Sequence, residues 1–417
     1  MKIVIMGGGI IGVTTAWYLQ REGHEVTVIE RNEACGLETS FQNGALLAPG
    51  HSQAWASPGA FKTLVKSLFR DDPALRFRFS LNPRFLAWNV KFLKECTAPR
   101  YRANTLRILR VMMRGVDALR ELREEADIAY DANDDGILYL FRSQHSLDTY
   151  GPSWTLLAEH GFELEAADRD RCVEIEPTLG ATREKIAGGF FAPNDGAGDA
   201  LIFSQNMAAR LIEKGAEFQY GTTIRSLKAS GGRIEAVVTD KGEVRGDAYV
   251  MALGPEAPFL GRTIDLSLPI WPIKGYTVSV PIGDHKGAPR TGIIEEDNLV
   301  AFAHLGDRLR VGGKAEFASY DKTYKDKDFK GVFKVARDLF PDGADYDKPE
   351  YYACLRPVTP DGPPILGRSR HENLFLNVGH GAAGWTESCS CAEAVADIVL
   401  GKTPAMDMEG LELSRYG

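Results

Sequence analysis

Residues 2–6, KIVIM, form an almost continuous apolar run of the kind a buried parallel strand requires. After a cluster of glycines, Val13, Ala16 and Leu19 recur at helical spacing, and Gly23 stands where a C-cap would end that helix. EVTVIE (25–30) follows as a second strand closing on an acid. Helical patterns are predicted at 59–70, 84–96 and 101–126, and GILYLF (136–141) reads as a strand. Between 215 and 244 the chain alternates as successive strands, with turns at Gly231–Gly232 and Lys241–Gly242. DAYVMALGPEA (247–257) is a buried strand ending in glycine. Residues 373–401 read as a strand, a loop with Gly379, Gly381 and Gly384, and an amphipathic helix.

The first thirty residues carry the sharpest motif. Gly7, Gly9 and Gly12 give G-x-G-x-x-G between the first strand and its helix, and Glu30 ends the second strand. Gly7 permits the turn, Gly9 lets backbone approach a pyrophosphate, and Gly12 allows close helix–strand packing, with Ile10 and Ile11 at the helix N-terminus. Glu30 accepts from ribose hydroxyls, with Arg31 beside it. The motif predicts dinucleotide binding.

Three later features favour FAD over NAD. LETSFQNGALLAPG (37–50) offers Thr39 and Ser40 to a pyrophosphate and Asn43, Gly44 and Ala45 to a flat ring. The strand before Ala252 and Gly254 suits the same sheet, and Thr223 and Ile224 begin a strand expected over the adenine side. The loop Gly379, His380, Gly381, Gly384, Trp385 and Thr386 feeds a helix N-terminus, which suits the negative charge a reduced flavin gathers.

Composition narrows the class. The 417 residues carry a net charge of −8, which argues against a nucleic-acid partner. Six scattered cysteines form no CxxC pair and no metal spacing, so no metal site and a reducing compartment are expected. No apolar run is long enough to span a bilayer, and glycines interrupt the apolar start where a leader peptide would need continuity. Segment 61–114 holds thirteen Lys/Arg against three acids and many aromatics. It reads as a solvated helical face or as a patch for peripheral contact with an anionic membrane.

The fingerprint, ETSFQN, LPIWPIKGYTVSV, LRVGG, LRPVTPDGPPILGR and NVGHGAAGWT occur in order across nearly the whole chain. Together they resemble the bacterial D-amino acid dehydrogenases (small subunit), within the D-amino acid oxidase and glycine oxidase superfamily. One departure is Asn43-Gly44-Ala45-Leu46, where members usually continue N-A-G-Q. The resemblance implies an α/β fold with a Rossmann-like FAD-binding domain, discontinuous in sequence, and an α+β mixed-sheet substrate domain. The expected division is 1–58, 195–262 and 350–417 for FAD, and 59–194 and 263–349 for substrate. It implies hydride transfer from the α carbon of a D-amino acid to flavin N5, release of a 2-oxo acid and ammonia, and a quinone or other acceptor. A bacterial cytoplasmic enzyme, peripheral to the inner membrane, is the matching location. D-hydroxyproline, glycine or sarcosine oxidation is the alternative chemistry, and a non-catalytic FAD-bearing assembly subunit the alternative class.

The substrate carboxylate must be fixed, and a bidentate arginine fixes both position and plane. Arg356 matches the carboxylate-binding arginine of the family motif, on a mount stiffened by Pro357, Pro360, Pro363 and Pro364. Tyr276 is a candidate to assist the carboxylate, and His51 and His304 are candidates to line the pocket. Cys354 falls where the related sarcosine oxidases carry covalent flavin. D-amino acid dehydrogenases mostly have glycine there, so non-covalent FAD is expected and a Cys354 link is the alternative.

Overall fold

The computed structural model describes residues 1–60, 75–78 and 80–417. The helix expected at 59–70 falls largely outside them. Lys2–Met6 pairs in parallel with Glu25–Ile29 on one side and Ala248–Met251 on the other. Its apolar residues are fully buried, which is why a near-continuous apolar run sits at the sheet centre. The six-stranded sheet runs Ile365–Arg368, Leu374–Val378, Ala248–Met251, Lys2–Met6, Glu25–Ile29 and Glu217–Gln219. Only Ile365–Arg368 is antiparallel to its neighbour. The hairpin Ile224–Ser230 and Arg233–Thr239 turns at Gly231–Gly232 as expected, whereas its continuation turns at Asp240–Lys241, one residue early.

The second sheet is mixed. Its order is Glu350–Val358, Trp271–Pro281, Arg308–Phe317, Val300–Leu305, Gly292–Glu295, Ile137–Phe141, Gly188–Ala192 and Glu165–Asp168, and Leu75–Phe77 also pairs with Arg308–Phe317. Two expected boundaries move. Glu350–Val358 is the edge of this mixed sheet, so the chain rejoins the nucleotide sheet only at Ile365. The long helix Ala98–Ala126 packs on the nucleotide side, with Val111, Val116, Leu119 and Leu122 in one core with Ile3, Ile5 and Val13. It crosses Gly384–Val399 so closely that a Cβ on Gly115 would lie 2.0 Å from the Thr386 carbonyl.

Several described arginines of the basic segment are paired with acids, most of them distant in sequence. Arg107 pairs with Glu409, Arg110 with Asp407, Arg114 with Glu121 and Glu393, and Arg78 with Glu316 and Asp321. Helix Pro83–Glu95 buries Phe85 and Trp88 and presents Leu86, Val90 and Leu93 outward, beside Lys94 in its last turn. No helix among the described residues is long and apolar enough to cross a membrane.

Candidate active site

One large cavity, about 840 Å³, runs from the first strand–helix turn to the mixed sheet. At the turn, a Cβ on Gly12 would lie 1.9 Å from the Gly7 carbonyl oxygen, so helix and strand meet only because position 12 has no side chain. Gly12 therefore packs behind the cavity, while Gly7, Gly9, Ile10 and Ile11 line it. A Cβ on Gly9 would find only Ser40 Oγ, at 3.7 Å, so this backbone faces open space.

Glu30 is held in place by three donors. Gly8 N–H donates to one carboxylate oxygen at 2.8 Å, and Asn32 donates its backbone and side-chain N–H to the other at 2.8 and 2.7 Å. Three of the four acceptor sites are thereby taken, and Oε2 keeps one for a ribose hydroxyl. Arg31, Thr39, Ser40, Asn43, Gly44, Ile224, Ala252 and Gly254 line the same cavity. Ser40 Oγ accepts from Ile10 N–H at 3.2 Å, and Thr39 donates to the Leu355 carbonyl at 2.9 Å. Thr39 thus ties the nucleotide loop to the strand that carries Arg356.

Ala45 and Thr386 lie off the main cavity, around a smaller one of about 160 Å³. Ala45 has φ +62°, a left-handed conformation that favours glycine, which accounts for the glycine usual at that place in the motif it departs from. Its methyl is buried with Ala197, Ala303 and Leu305. Thr386 is a loop clasp: its hydroxyl accepts from Ala48 N–H at 3.2 Å.

His380, Gly381, Gly384 and Trp385 line the main cavity, whereas Gly379 packs against Thr359. Gly381 N–H donates to the Pro357 carbonyl at 2.9 Å, which docks this loop beside Arg356. His380 bonds Asn377 Oδ1 at 3.0 Å, and burial pushes its pKa down to about 3, so the ring is neutral. His380, Glu387 and Cys391 have side-chain ligand atoms within 4.8 Å of one another. Burial pushes the Glu387 carboxyl and the Cys391 thiol well up, so all three are uncharged. Only the fold brings these three together; the cysteine spacing gave no sign of it.

Arg356 lines the cavity and makes no hydrogen bond or ion pair among the described residues. Its guanidinium lies over Gly275, one of the positions sequence reasoning missed. His51 is exposed to the cavity beside it, where the surrounding protein atoms displace bulk water and, together with the Arg356 charge, push the imidazole down to about 4. Cys354, two residues away on the same face, also lines the cavity, and burial pushes its thiol up.

Two candidates are corrected. Gly275 and Thr277 face the cavity side, so strand alternation turns Tyr276 the other way. Tyr276 is fully buried against Phe329 and donates to Glu316. His304 alternates with Ala303 and Leu305, and its ring nitrogens bond the Pro289 and Gly306 carbonyls at 3.1 and 3.2 Å, outside the cavity. Sequence reasoning also missed Arg310. It donates to the Asn43 carbonyl at 2.9 Å and to Ser279 Oγ at 2.7 Å, pinning the ring-facing loop to the mixed sheet.

An open glycine backbone at a helix N-terminus, a fixed ribose acid and a cavity of this size fit FAD, with room for a small carboxylate at Arg356. Known proteins bear on the same point. Residues 2–398 match the family described as FAD dependent oxidoreductase (DAO). The chain is 45% identical over 412 residues, 99% of each chain, to D-amino acid dehydrogenase 2 of Mesorhizobium japonicum. It is 42% identical to D-amino acid dehydrogenase of Paramagnetospirillum magneticum, over 100% of this chain and 99% of that one. The fold is similar to glycine oxidase from Geobacillus kaustophilus (TM-score 0.75, 22% identity, 99% and 98% covered). It is likewise similar to L-proline dehydrogenase from P. horikoshii (TM-score 0.76, 22% identity, 100% and 97% covered).

Proposed function

The chain belongs to the FAD-dependent oxidoreductase (DAO) family, and on that premise we propose that it oxidises D-amino acids to 2-oxo acids and ammonia. The observation that carries this reading is Arg356, a guanidinium without an anionic partner in the cavity that holds the dinucleotide cradle. An arginine half-buried in a cavity wall and left uncompensated is costly, and a bidentate carboxylate is the partner that relieves the cost. The two curated relatives named above support the D configuration.

FAD, when bound, supplies the two-electron acceptor. The residues of the chain bind and orient. Arg356 fixes the α-carboxylate and so the direction of the Cα–H bond. With FAD bound, that bond would give up its hydrogen and electron pair together as hydride, the amine would lose a proton, and water would hydrolyse the imine to the 2-oxo acid and ammonia. His51 stays uncharged at neutral pH and leaves the carboxylate to Arg356. His380, neutral and held by Asn377, adds no positive charge of its own behind the loop. FAD is held without a covalent link, since a thiol raised by burial is a poor nucleophile. Electrons then pass to a quinone or similar acceptor, reached by peripheral contact of the 61–114 region with an anionic membrane.

Anaerobic mixing with D- and L-amino acids, D-hydroxyproline, glycine and sarcosine tests the reading. Bleaching of the flavin band by D-amino acids and not by their L enantiomers is expected. Bleaching by glycine, sarcosine or D-hydroxyproline in preference to D-amino acids would replace it with the alternative chemistry. No bleaching by any amine would point to a non-catalytic subunit.

A further inference from the structure

Strand Gly292–Glu295 ends in a turn that begins with Glu296 and Asp297, and the three consecutive acids have different fates. Glu295 pairs with Arg142 at 3.1 Å and accepts from Asn298. Asp297 accepts from Arg142 N–H at 2.7 Å and from the Ser146 hydroxyl. Glu296 opens the turn, its N–H donating to the Leu140 carbonyl at 2.9 Å, and its side chain lines the large cavity rather than joining Arg142. Its Oε1 is closed off from solvent and has no hydrogen-bond donor.

The other carboxylates lining this cavity are engaged. Glu30 is held by Gly8 and Asn32, Glu38 by Arg31 and Lys322, and Glu256 lies 3.7 Å from Arg31. Glu296 alone among them, within the described residues, has no donor or cation. Tyr101, Tyr150 and Trp154 line the cavity with it, and an acid among aromatic faces is a setting for a desolvated cation.

Its place in the sheet says which part of a substrate it meets. Arg356 and Glu296 are four strand steps apart, through Trp271–Pro281, Arg308–Phe317, Val300–Leu305 and the end of Gly292–Glu295. At the usual strand spacing their backbones stand about 19 Å apart. The α-amino group shares a carbon with the carboxylate and stays at the Arg356 end. What extends toward Glu296 is the far end of a long side chain.

We propose that Glu296 selects D-amino acids with cationic side chains, arginine- or lysine-like, by pairing its carboxylate with the terminal guanidinium or ammonium. This rests on reading the cavity as a D-amino acid site. Burial beside Glu295 and Asp297 pushes the Glu296 carboxyl up to about 8, so without a cation at hand the group holds its proton.

The test compares the holoenzyme with its Glu296→Gln and Glu296→Leu variants, using D-arginine, D-lysine, D-methionine and D-alanine. Wild type is expected to favour D-arginine and D-lysine in kcat/KM. In Glu296→Gln that value falls roughly tenfold or more for the cationic pair, mainly through KM, while D-methionine and D-alanine change by less than about twofold. Glu296→Leu shifts preference toward D-methionine. An equal change on all four substrates, or no loss on the cationic pair, overturns the proposal. Failure of every D-amino acid to bleach wild-type flavin is a separate result, which would instead overturn the reading of the cavity. An unchanged flavin spectrum and melting temperature show that the variants are folded and loaded.

Discussion

Gly275 and Arg356 compete for one volume: a Cβ on Gly275 would stand 2.6 Å from Nε and 2.7 Å from Nη2 of Arg356. Arg356 pairs across the ladder with Ile273, so Gly275 is its diagonal neighbour on the same face. The missing side chain is what lets the guanidinium lie flat along the cavity wall. Gly275→Ala is therefore expected to raise the substrate KM about tenfold or more by tilting the guanidinium, with FAD affinity little changed. Steady-state kinetics with flavin titration checks both. An unchanged KM would mean that the guanidinium adjusts freely.

Arg356→Lys keeps the charge and loses the fork. Hydrogen bonds to charged groups contribute about 1.5–3 kcal/mol, so kcat/KM should fall by roughly ten- to a hundredfold. Anaerobic flavin reduction measured against substrate concentration separates weaker binding from slower transfer.

Cys354 lies in the cavity wall and keeps its proton because burial outweighs the pull of Arg356, Lys322 and Arg310. Acid precipitation should give a colourless pellet and yellow supernatant, and Cys354→Ser should bind FAD as wild type does. A yellow pellet that turns colourless in Cys354→Ser would establish the covalent link instead.

His380 makes stability depend on pH with a definite sign. Its pKa falls from an ordinary value of 6.5 to about 3 on folding, so between those values the unfolded chain binds more protons. Stability from this group is full above pH 6.5 and is lost as pH falls, at up to about 1.4 kcal/mol per pH unit. Denaturant unfolding at saturating FAD should show a shallower acid-side slope in His380→Asn. An identical slope would mean the imidazole is not held neutral.

The outward stripe Leu86, Val90 and Leu93 is 45–55% exposed. If it meets a membrane, Leu86→Glu with Leu93→Glu should abolish salt-sensitive binding to anionic liposomes and leave activity with a soluble acceptor intact. Co-sedimentation measures the first, and dye reduction the second. Wild type that ignores liposomes removes the membrane contact.

The nucleotide half was legible because its signals are local. Strand, Gly7, Gly9, Gly12, helix and Glu30 fall within thirty residues, and each reports a backbone constraint that short-range geometry imposes. Arg356 was legible through a motif that resembles known ones. Tyr276 and His304 were misread because nothing in a one-dimensional string says which face of a strand meets the cavity. That depends on register, and a step of one residue reverses it. The helix at 98–126 was given to the wrong layer for a similar reason: its apolar stripe states that it packs, not against what.

By itself, then, the sequence carried the glycine turn, the acid that ends the second strand and the arginine of the proline-rich motif, since each is a matter of residue type at short spacing. Tertiary structure alone decided that Gly275 makes room for Arg356, that Arg310 pins the ring-facing loop, and that Glu296 faces the cavity while Glu295 and Asp297 are paired elsewhere. The physical reason is that each of these depends on segments far apart in the chain. Their side chains meet only after sheet order and register have chosen a face.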